Sequence, residues 1–168
     1  MGETGAGLAR CIRRNDGLLL RSEQKHLPDA SVVLRTLQRQ NVILRLERGV
    51  YAERATYDAM TPWQRFDLRA KALGLASGRV LAGYSAAAVW GLWRYSSTPR
   101  QQTLYRRNGG RTRTGIREIH HNLPEAEVTG THLRATTVLR TIADLTRLHG
   151  FGAGFVAACS LLRHTPTT

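Results

Sequence analysis

The sequence predicts an α+β protein, and three observations support this prediction. An apolar stripe of helical period follows Asp29, an alternating segment turns at Gly49, and several helix-start signals mark the second half of the chain. Apolar residues make up 42% of the 168 residues, enough for a core, so wholesale disorder is excluded. We expect two domains, over residues 1–57 and 58–168.

Three short helices are predicted at the start of the chain, over 8–14, 22–26 and 30–40. Leu18–Leu20 is expected to lead into the second helix, and Asp29 to cap the third. One face of the third helix is apolar at the spacing i, i+3, i+4, i+7 and is expected to be buried: Ala30, Val33, Leu34 and Leu37. The opposite face is polar and basic: Ser31, Arg35, Gln38 and Arg39.

A two-stranded ribbon follows the third helix. Leu44 and Leu46 alternate with Arg45, and Gly49 supplies the permissive backbone of a tight turn before the segment 50–52. Helices followed by such a ribbon predict a winged helix-turn-helix, whose third helix enters the major groove of DNA. The DNA-binding candidates are Ser31, Arg35, Thr36, Gln38, Arg39, Arg45 and Arg48. The same arrangement also occurs in protein-interaction modules, and the pattern leaves that alternative open.

These candidates differ in the contact that each side chain favours. Arg35 suits a bidentate contact with guanine, while Ser31, Thr36 and Gln38 suit weaker contacts with bases or phosphates. Arg45 and Arg48 lie on the ribbon, where they can meet phosphate or the minor groove.

The charge favours an anionic partner. Lys and Arg number 25 against 12 Asp and Glu, a formal net charge of +13, and only Lys25 and Lys71 are lysines. GC-rich codon usage can account for the preference for Arg, but not for the net charge. The six arginines between residues 100 and 117, with no acid among them, predict a hairpin with an Arg-rich tip around 108–110. Arg106, Arg107, Arg111 and Arg113 of this segment either contact phosphate or are merely solvated.

The second half predicts helices around a small antiparallel sheet. Thr61 and Pro62 mark the start of a helix. Ser85 is expected to cap a helix that reaches Val89, and Thr137 is expected to cap a helix over 138–149. A last helix is predicted over 153–163. Trp90 and Trp93 are interpreted as core aromatics.

Several classes of protein and site are not expected. No stretch has the roughly 20 apolar residues of a membrane span, the first 20 residues lack a signal pattern, and Cys11 and Cys159 have no CxxC partner. We therefore expect a cytoplasmic protein without metal or cofactor. No catalytic motif is found: His120 and His121 would point to opposite faces of a strand, and Asp144 is interpreted as a buried cap or an Arg partner.

Three segments in order resemble the AbiEi family of antitoxins. They are RQNVILRLERGVYA at 39–52, YSAAAVWGL at 84–92 and TTVLRTIADL at 136–145, and the resemblance spans roughly residues 18–163. It implies a transcriptional regulator of a type IV toxin–antitoxin or abortive-infection system. Such a regulator represses its own operon by binding promoter DNA, on which it can form oligomers, and it opposes a nucleotidyltransferase-like toxin.

Two alternatives accompany the resemblance. Many actinobacterial proteins with a similar N-terminal sequence continue into a Vsr-like endonuclease domain, so the chain can be read as a regulatory remnant without the nuclease. A non-DNA interaction module that binds RNA or a toxin directly is the other alternative. In each case we expect no enzymatic activity from the 168 residues themselves.

Overall fold

The computed structural model describes residues 17–24, 29–95, 97, 99–106 and 114–164. The chain divides into two compact units, Met1–Ala76 and Ser77–Thr168. The expected boundary after residue 57 therefore falls inside the first unit. The reason is the helix Pro62–Ser77, which contributes Leu68 and Ala72 to the core of that unit.

The first unit is built on a three-stranded antiparallel sheet with the strand order β1-β3-β2. Its elements are β1 (Leu18–Leu20), a 3-10 turn (Arg21–Gln24), α1 (Ala30–Arg39), β2 (Ile43–Glu47), β3 (Val50–Glu53), α2 (Arg54–Ala59) and α3 (Pro62–Ser77). The predicted ribbon is confirmed as β2 and β3, with Gly49 at a φ of 78° in the turn.

The elements before α1 differ from the prediction. Leu18–Leu20, expected to lead into a helix, pairs with β3 as a strand, and Arg21–Gln24 forms a single 3-10 turn instead of the predicted helix over 22–26. The predicted helix over 8–14 lies outside the described residues. Three consecutive leucines suit a strand that is buried on both faces, which accounts for the difference: Leu18 is 1% and Leu19 0% exposed.

The sheet of the first unit has a core on each face. On one face Leu19 packs with Leu34 of α1 and Ile43 of β2. On the other, a second buried cluster joins the sheet to α2 and α3: Leu18, Val50, Ala52, Tyr57, Leu68 and Ala72. The predicted start of α3 is confirmed by two reciprocal hydrogen bonds. The backbone N–H of Gln64 donates to Thr61 Oγ1 at 3.3 Å, and the backbone N–H of Thr61 donates to Gln64 Oε1 at 2.8 Å.

The second unit combines helices with short strands. Its elements are α4 (Gly83–Trp90), β4 (Gln102–Tyr105), β5 (Ile116–Ile119), a 3-10 turn (Glu125–Glu127), β6 (Val128–Thr129), β7 (Ala135–Thr136), α5 (Val138–His149) and α6 (Phe151–His164). Strands β6 and β7 are antiparallel, and Leu81 bridges to Leu104 and to Ala135. The α+β class is confirmed, and antiparallel pairing holds for β6–β7 and for the first unit.

Strands β4 and β5 are parallel, so the predicted Arg-rich hairpin is wrong. Gln102 pairs with Ile116 and Tyr105 with Ile119, which means that both strands run in the same direction. A hairpin joins strands that run in opposite directions, whereas here the chain must return to the start of the neighbouring strand. The residues 107–113, which include Arg107, Arg111 and Arg113, lie outside the described part of the chain.

The predicted caps in the second unit have different outcomes. Thr137 does cap α5, since its hydroxyl accepts from the Arg140 amide at 3.4 Å. Ser85 does not cap α4: it lies inside the helix at 0% exposure, donates to Gln102 Oε1 at 2.7 Å and accepts from the Thr103 amide at 2.9 Å. The hydroxyl therefore connects α4 to β4 instead of ending a helix.

The two tryptophans also differ from each other. Trp90 is half-buried and its indole Nε1 donates to the Thr136 carbonyl at 2.9 Å. Trp93 is 44% exposed and lies under the Arg163 guanidinium, so its interpretation as a core residue is wrong. The predicted last helix is present and begins two residues earlier than expected, at Phe151.

Candidate nucleic-acid interface

Helix α1 presents its basic face to solvent. Leu34 is 3% exposed and fixes the opposite face against Leu19 and Ile43. The predicted buried stripe is confirmed, with Leu34 buried and its other three members half-buried. The remaining side chains divide as predicted: Ser31, Arg35, Gln38 and Arg39 are exposed and Thr36 is half-buried. This orientation follows from the helical period, which separates the two faces of an amphipathic helix.

The start of α1 differs from the prediction in one respect. Asp29 precedes the helix with a φ of 56°, and its side chain makes no capping hydrogen bond. Its backbone carbonyl accepts instead from the Val32 and Val33 amides, at 2.7 and 3.1 Å. Left-handed backbone is tolerated better by Asp than by most residues, because its short polar side chain can bond locally.

The ribbon of β2 and β3 carries two exposed arginines, one on β2 and one in the turn. Arg45 on β2 donates from Nε to the Glu47 carbonyl at 3.3 Å, which holds the base of its side chain beside the irregular register between Arg45 and Glu47. Arg48 lies at the tip of the turn, next to Gly49. Within this unit, α1 and the turn are the two places where the predicted DNA-binding residues are found.

Three of these arginines have no internal partner. Among the described residues, no hydrogen bond, ion pair or ring contact involves the side chain of Arg35, Arg39 or Arg48. All the donors of their guanidinium groups therefore face solvent. Since the guanidinium fork matches phosphate oxygens and the guanine edge, these side chains can bind nucleic acid without first breaking an internal contact.

Two exposed valines of the first unit were missed by the sequence-based prediction. Val32 on α1 is 55% exposed and Val42, just before β2, is 46% exposed. Val32 precedes Arg35 by three residues and Arg39 by seven, so the three side chains share one face of the helix. That spacing is the signal that could have identified Val32 in the sequence.

Arg106 is the one member of the second predicted basic cluster within the described residues. It is exposed, and its Nη1 lies 3.1 Å from His120 Nδ1. His120 and His121 follow β5 instead of lying on it, and both are exposed. In the described part of the chain, no group of three or more His, Cys, Asp or Glu side chains could hold a metal ion.

Asp144 is the centre of a buried polar network in the second unit. It is 1% exposed, and the Tyr105 hydroxyl lies 3.2 Å from each of its carboxylate oxygens. Arg140 Nε donates to it at 3.2 Å, and Arg147 forms an ion pair with it at 3.6 Å. The interpretation of Asp144 as an Arg partner is confirmed.

The network shifts the pKa of two of its members. Burial raises the pKa of Tyr105, and the negative charge of Asp144 raises it further. Burial disfavours the charged form of Arg140, but the hydrogen bond and charge of Asp144 outweigh it and raise the pKa of Arg140. Arg140 also contacts Glu127 and the Tyr105 hydroxyl. The network thus keeps Arg140 charged and Tyr105 protonated, which suits a structural role.

No protein-family model and no curated protein sequence matches the chain. Among the described helices, none is both long and apolar enough to cross a membrane.

Proposed function

We propose that the protein is a transcriptional regulator that binds double-stranded DNA through its first unit. The observation that carries this proposal is the exposed face of α1, where the side chains of Arg35 and Arg39 have no partner in the described part of the chain while Leu34 holds the helix on the sheet. The arrangement of the unit supports a winged helix-turn-helix, because α1 precedes an antiparallel ribbon and β3 lies between β1 and β2.

The dimensions of α1 suit the major groove. A helix with its side chains is about 10–12 Å across, and the major groove of B-DNA is about 12 Å wide, so α1, about 15 Å long with its ten residues, fits into the groove. In that position Arg35 reaches the O6 and N7 acceptors of guanine, and Gln38 the N6 and N7 atoms of adenine. Val32 offers an apolar contact for a thymine methyl group. Arg45 and Arg48 on the ribbon contact phosphates on the flank of the site.

The resemblance to AbiEi antitoxins narrows the proposal. On this basis the DNA is the promoter of the protein's own operon, several copies assemble on it, and the functional partner is a nucleotidyltransferase-like toxin. The protein then works in the cytoplasm and catalyses no reaction. The net charge of +13 supports an anionic partner, although charge alone does not distinguish DNA from RNA.

Binding to two duplexes tests the proposal directly. The purified chain is titrated against its own upstream region and against a scrambled duplex of equal length and composition, at 50 and 200 mM salt. We expect preference for the upstream duplex and an affinity that falls steeply with salt, since each neutralised phosphate releases counterions. Absence of binding at low salt, or equal affinity for both duplexes, would refute the proposal.

Arg35→Ala separates base recognition from general charge. The variant should lose about 1–3 kcal/mol of binding to the upstream duplex, roughly 5- to 150-fold, and lose much of its preference. Arg54→Ala is the matched control, because it removes the same charge from the first unit at a side chain that forms an ion pair with Asp58. Equal losses in the two variants would show that α1 does not read the bases.

The exposed valines favour a second candidate, a surface for another protein. Val32 and Val42 place apolar area beside the basic face, and partly apolar patches rimmed by polar residues are typical of protein interfaces. In that case Val32→Ser should weaken capture of the partner toxin while DNA binding stays absent.

A further inference from the structure

The second unit contains an open cleft of about 860 Å³ at one end of its parallel strands. Because β4 and β5 are parallel, their carboxyl ends meet at the same edge, where Tyr105 pairs with Ile119. The next residue of each strand, Arg106 and His120, lines the cleft. In open α/β sheets, ligands bind in the crevice beyond the carboxyl ends of the parallel strands, and the cleft lies in the corresponding position at this two-stranded pair. Its volume is within the range of about 300–1,000 Å³ of small-molecule sites.

Arg106 and His120 together form a pair of donors at the mouth of this cleft. Arginine can only donate hydrogen bonds, so its Nη1, 3.1 Å from His120 Nδ1, makes that ring nitrogen the acceptor. The proton of the neutral ring is then on Nε2, which becomes a donor itself. Arg106 uses one of its five N–H groups in this contact, and both side chains are exposed. The pair therefore offers several donors and no acceptor to a ligand.

Two further arginines line the same cleft. Arg79 is held firmly, since its Nη2 lies 2.7 Å from Glu118 and its Nε and Nη2 donate to the Tyr105 carbonyl at 3.3 and 3.0 Å. Arg134 pairs at 2.7 Å with Glu125, whose side chain is 83% exposed. Water screens such an exposed pair, so Arg134 can exchange its acid for a ligand anion at little cost. Arg79 thus has a structural role in the lining of the cleft, while Arg134 is a second cation, besides Arg106, that can bind the ligand.

The remaining lining combines donors with apolar surface. His121 and Asn122 add polar groups beside His120, and Val80, Leu123 and Val128 supply apolar side chains. Of the described residues that line the cleft, Glu125 is the one acid, against three arginines. This balance favours an anionic ligand over a cationic one, and the apolar side chains suit a ligand that also has a flat or apolar part.

We propose that this cleft binds a nucleotide. Arg106, His120 and Arg134 hold its phosphates, and the apolar side chains contact its base. Phosphate suits these donors better than a carboxylate does, because it offers three oxygens to donors that come from separate chain segments. The cleft belongs to the second unit alone, so the proposal goes beyond DNA binding by α1 and does not depend on it.

Calorimetric titration of the full chain with ADP, adenosine and inorganic pyrophosphate tests the proposal. We expect ADP to bind, pyrophosphate to compete with it, and adenosine to bind at least tenfold more weakly than ADP. No heat with ADP at millimolar concentration in 50 mM salt would overturn the proposal. Equal binding of adenosine, or binding of pyrophosphate without ADP, would overturn it as well.

Variants locate the site and separate it from the proposed function. Arg106→Gln should weaken ADP binding at least tenfold, whereas Arg117→Gln should not, because Arg117 is an exposed cation on β5 outside the cleft lining. Equal losses of ADP affinity in the two variants would show that ADP responds only to the net charge of the protein, which would refute the site. Arg35→Ala should leave ADP binding intact, which keeps the two proposals distinguishable.

A competition experiment identifies the source of the phosphate. We expect duplex DNA not to displace ADP from the wild-type chain. If DNA displaces ADP, and Arg106→Gln weakens DNA as much as ADP, the cleft holds backbone phosphates and the nucleotide proposal is overturned.

Discussion

The two units differ in how they use arginine. On α1 and the adjacent turn, Arg35, Arg39 and Arg48 have no internal partner among the described residues. In the second unit, Arg79 and Arg140 are each held by an acid and by backbone or hydroxyl groups. Equal formal charges therefore have different consequences, because a cation bound to an internal acid contributes stability and little external field.

This difference shows that net charge alone does not indicate which cations are available to a ligand. The second unit carries the segment with the highest density of arginine, yet its arginines Arg79 and Arg140 form internal ion pairs. The first unit has a smaller excess of cations, and among its described residues Arg35 and Arg39 of α1 and Arg48 of the turn are exposed. A substitution of an arginine on α1 or the adjacent turn should therefore change binding and leave stability unaffected. A substitution in an ion pair of the second unit should lower stability.

Asp144→Asn should give the largest loss of stability. The variant removes the buried carboxylate partner of the Arg140 guanidinium, whose side chain is 18% exposed, and leaves Glu127, whose side chain is 38% exposed, as its acidic partner. Removal of one member of a buried ion pair costs about 3–5 kcal/mol. Urea denaturation followed by tryptophan fluorescence measures the loss. Asp58→Asn, at an exposed pair with 3.8 Å between Asp58 and Arg54, is the control and should cost less than about 1 kcal/mol. Similar losses of stability in the two variants would contradict the expected difference between a buried and an exposed ion pair.

Arg48→Ala should change DNA binding and leave stability unaffected. Because Arg48 has no internal partner, the free energy of unfolding should stay within about 0.5 kcal/mol of the wild type. The slope of log affinity against log salt should become shallower by about 0.9, which corresponds to one lost phosphate contact. Binding to upstream and scrambled duplexes should weaken alike. A selective loss on the upstream duplex would instead assign Arg48 to base recognition.

Acid should weaken the second unit through His149. Its Nε2 is buried without a hydrogen-bond partner, its ring centroid is 4.5 Å from that of Tyr84, and burial together with Arg117 lowers its pKa. The unfolded chain therefore binds this proton more readily than the folded one. The contribution is complete above the ordinary pKa of 6.5 and is lost as the pH falls from there through the folded value.

The comparison of denaturation midpoints at pH 7.5 and 5.5 tests the role of His149. The wild type should lose stability at the lower pH, and His149→Gln should lose less. His121→Gln, at an exposed ring, is the control and should follow the wild type. An unchanged pH dependence in His149→Gln would show that another group is responsible.

The smallest effect is expected at the exposed pair of Arg134 and Glu125. Glu125→Gln should change the free energy of unfolding by less than about 1 kcal/mol, since its side chain is 83% exposed. Glu118→Gln is the informative counterpart, because Glu118 also lies 2.7 Å from an arginine but its side chain is 6% exposed. We expect the larger loss for Glu118→Gln in the same denaturation assay, and the reverse order would contradict the importance of burial.

The contribution of Glu118 to stability should depend on pH. The hydrogen bond from Arg79 lowers the pKa of Glu118. Its contribution is therefore present above the ordinary value of 4.5 and is lost as the pH falls from there through the folded pKa.

Local patterns predicted much of the fold and of the α1 surface. The period of Leu34 and Leu37, the turn at Gly49 and the cap at Thr137 depend on neighbours in sequence, and these predictions are confirmed. Leu18–Leu20 and Ser85 failed because their roles depend on distant partners, on β3 and β4 respectively. The cleft was not predicted for the same reason, as parallel pairing brings together Arg106 and His120 from different strands.

The parallel pairing of β4 and β5 also has a kinetic consequence. An antiparallel hairpin closes a short loop first and adds each further pair next to the last one. Here every pair, from Gln102–Ile116 to Tyr105–Ile119, joins residues that are equally far apart in sequence. The cost of closing the loop is therefore met before any pair forms, and no short nucleus can start the ladder. We expect these strands to assemble late in folding, on a frame already provided by α4 and α5.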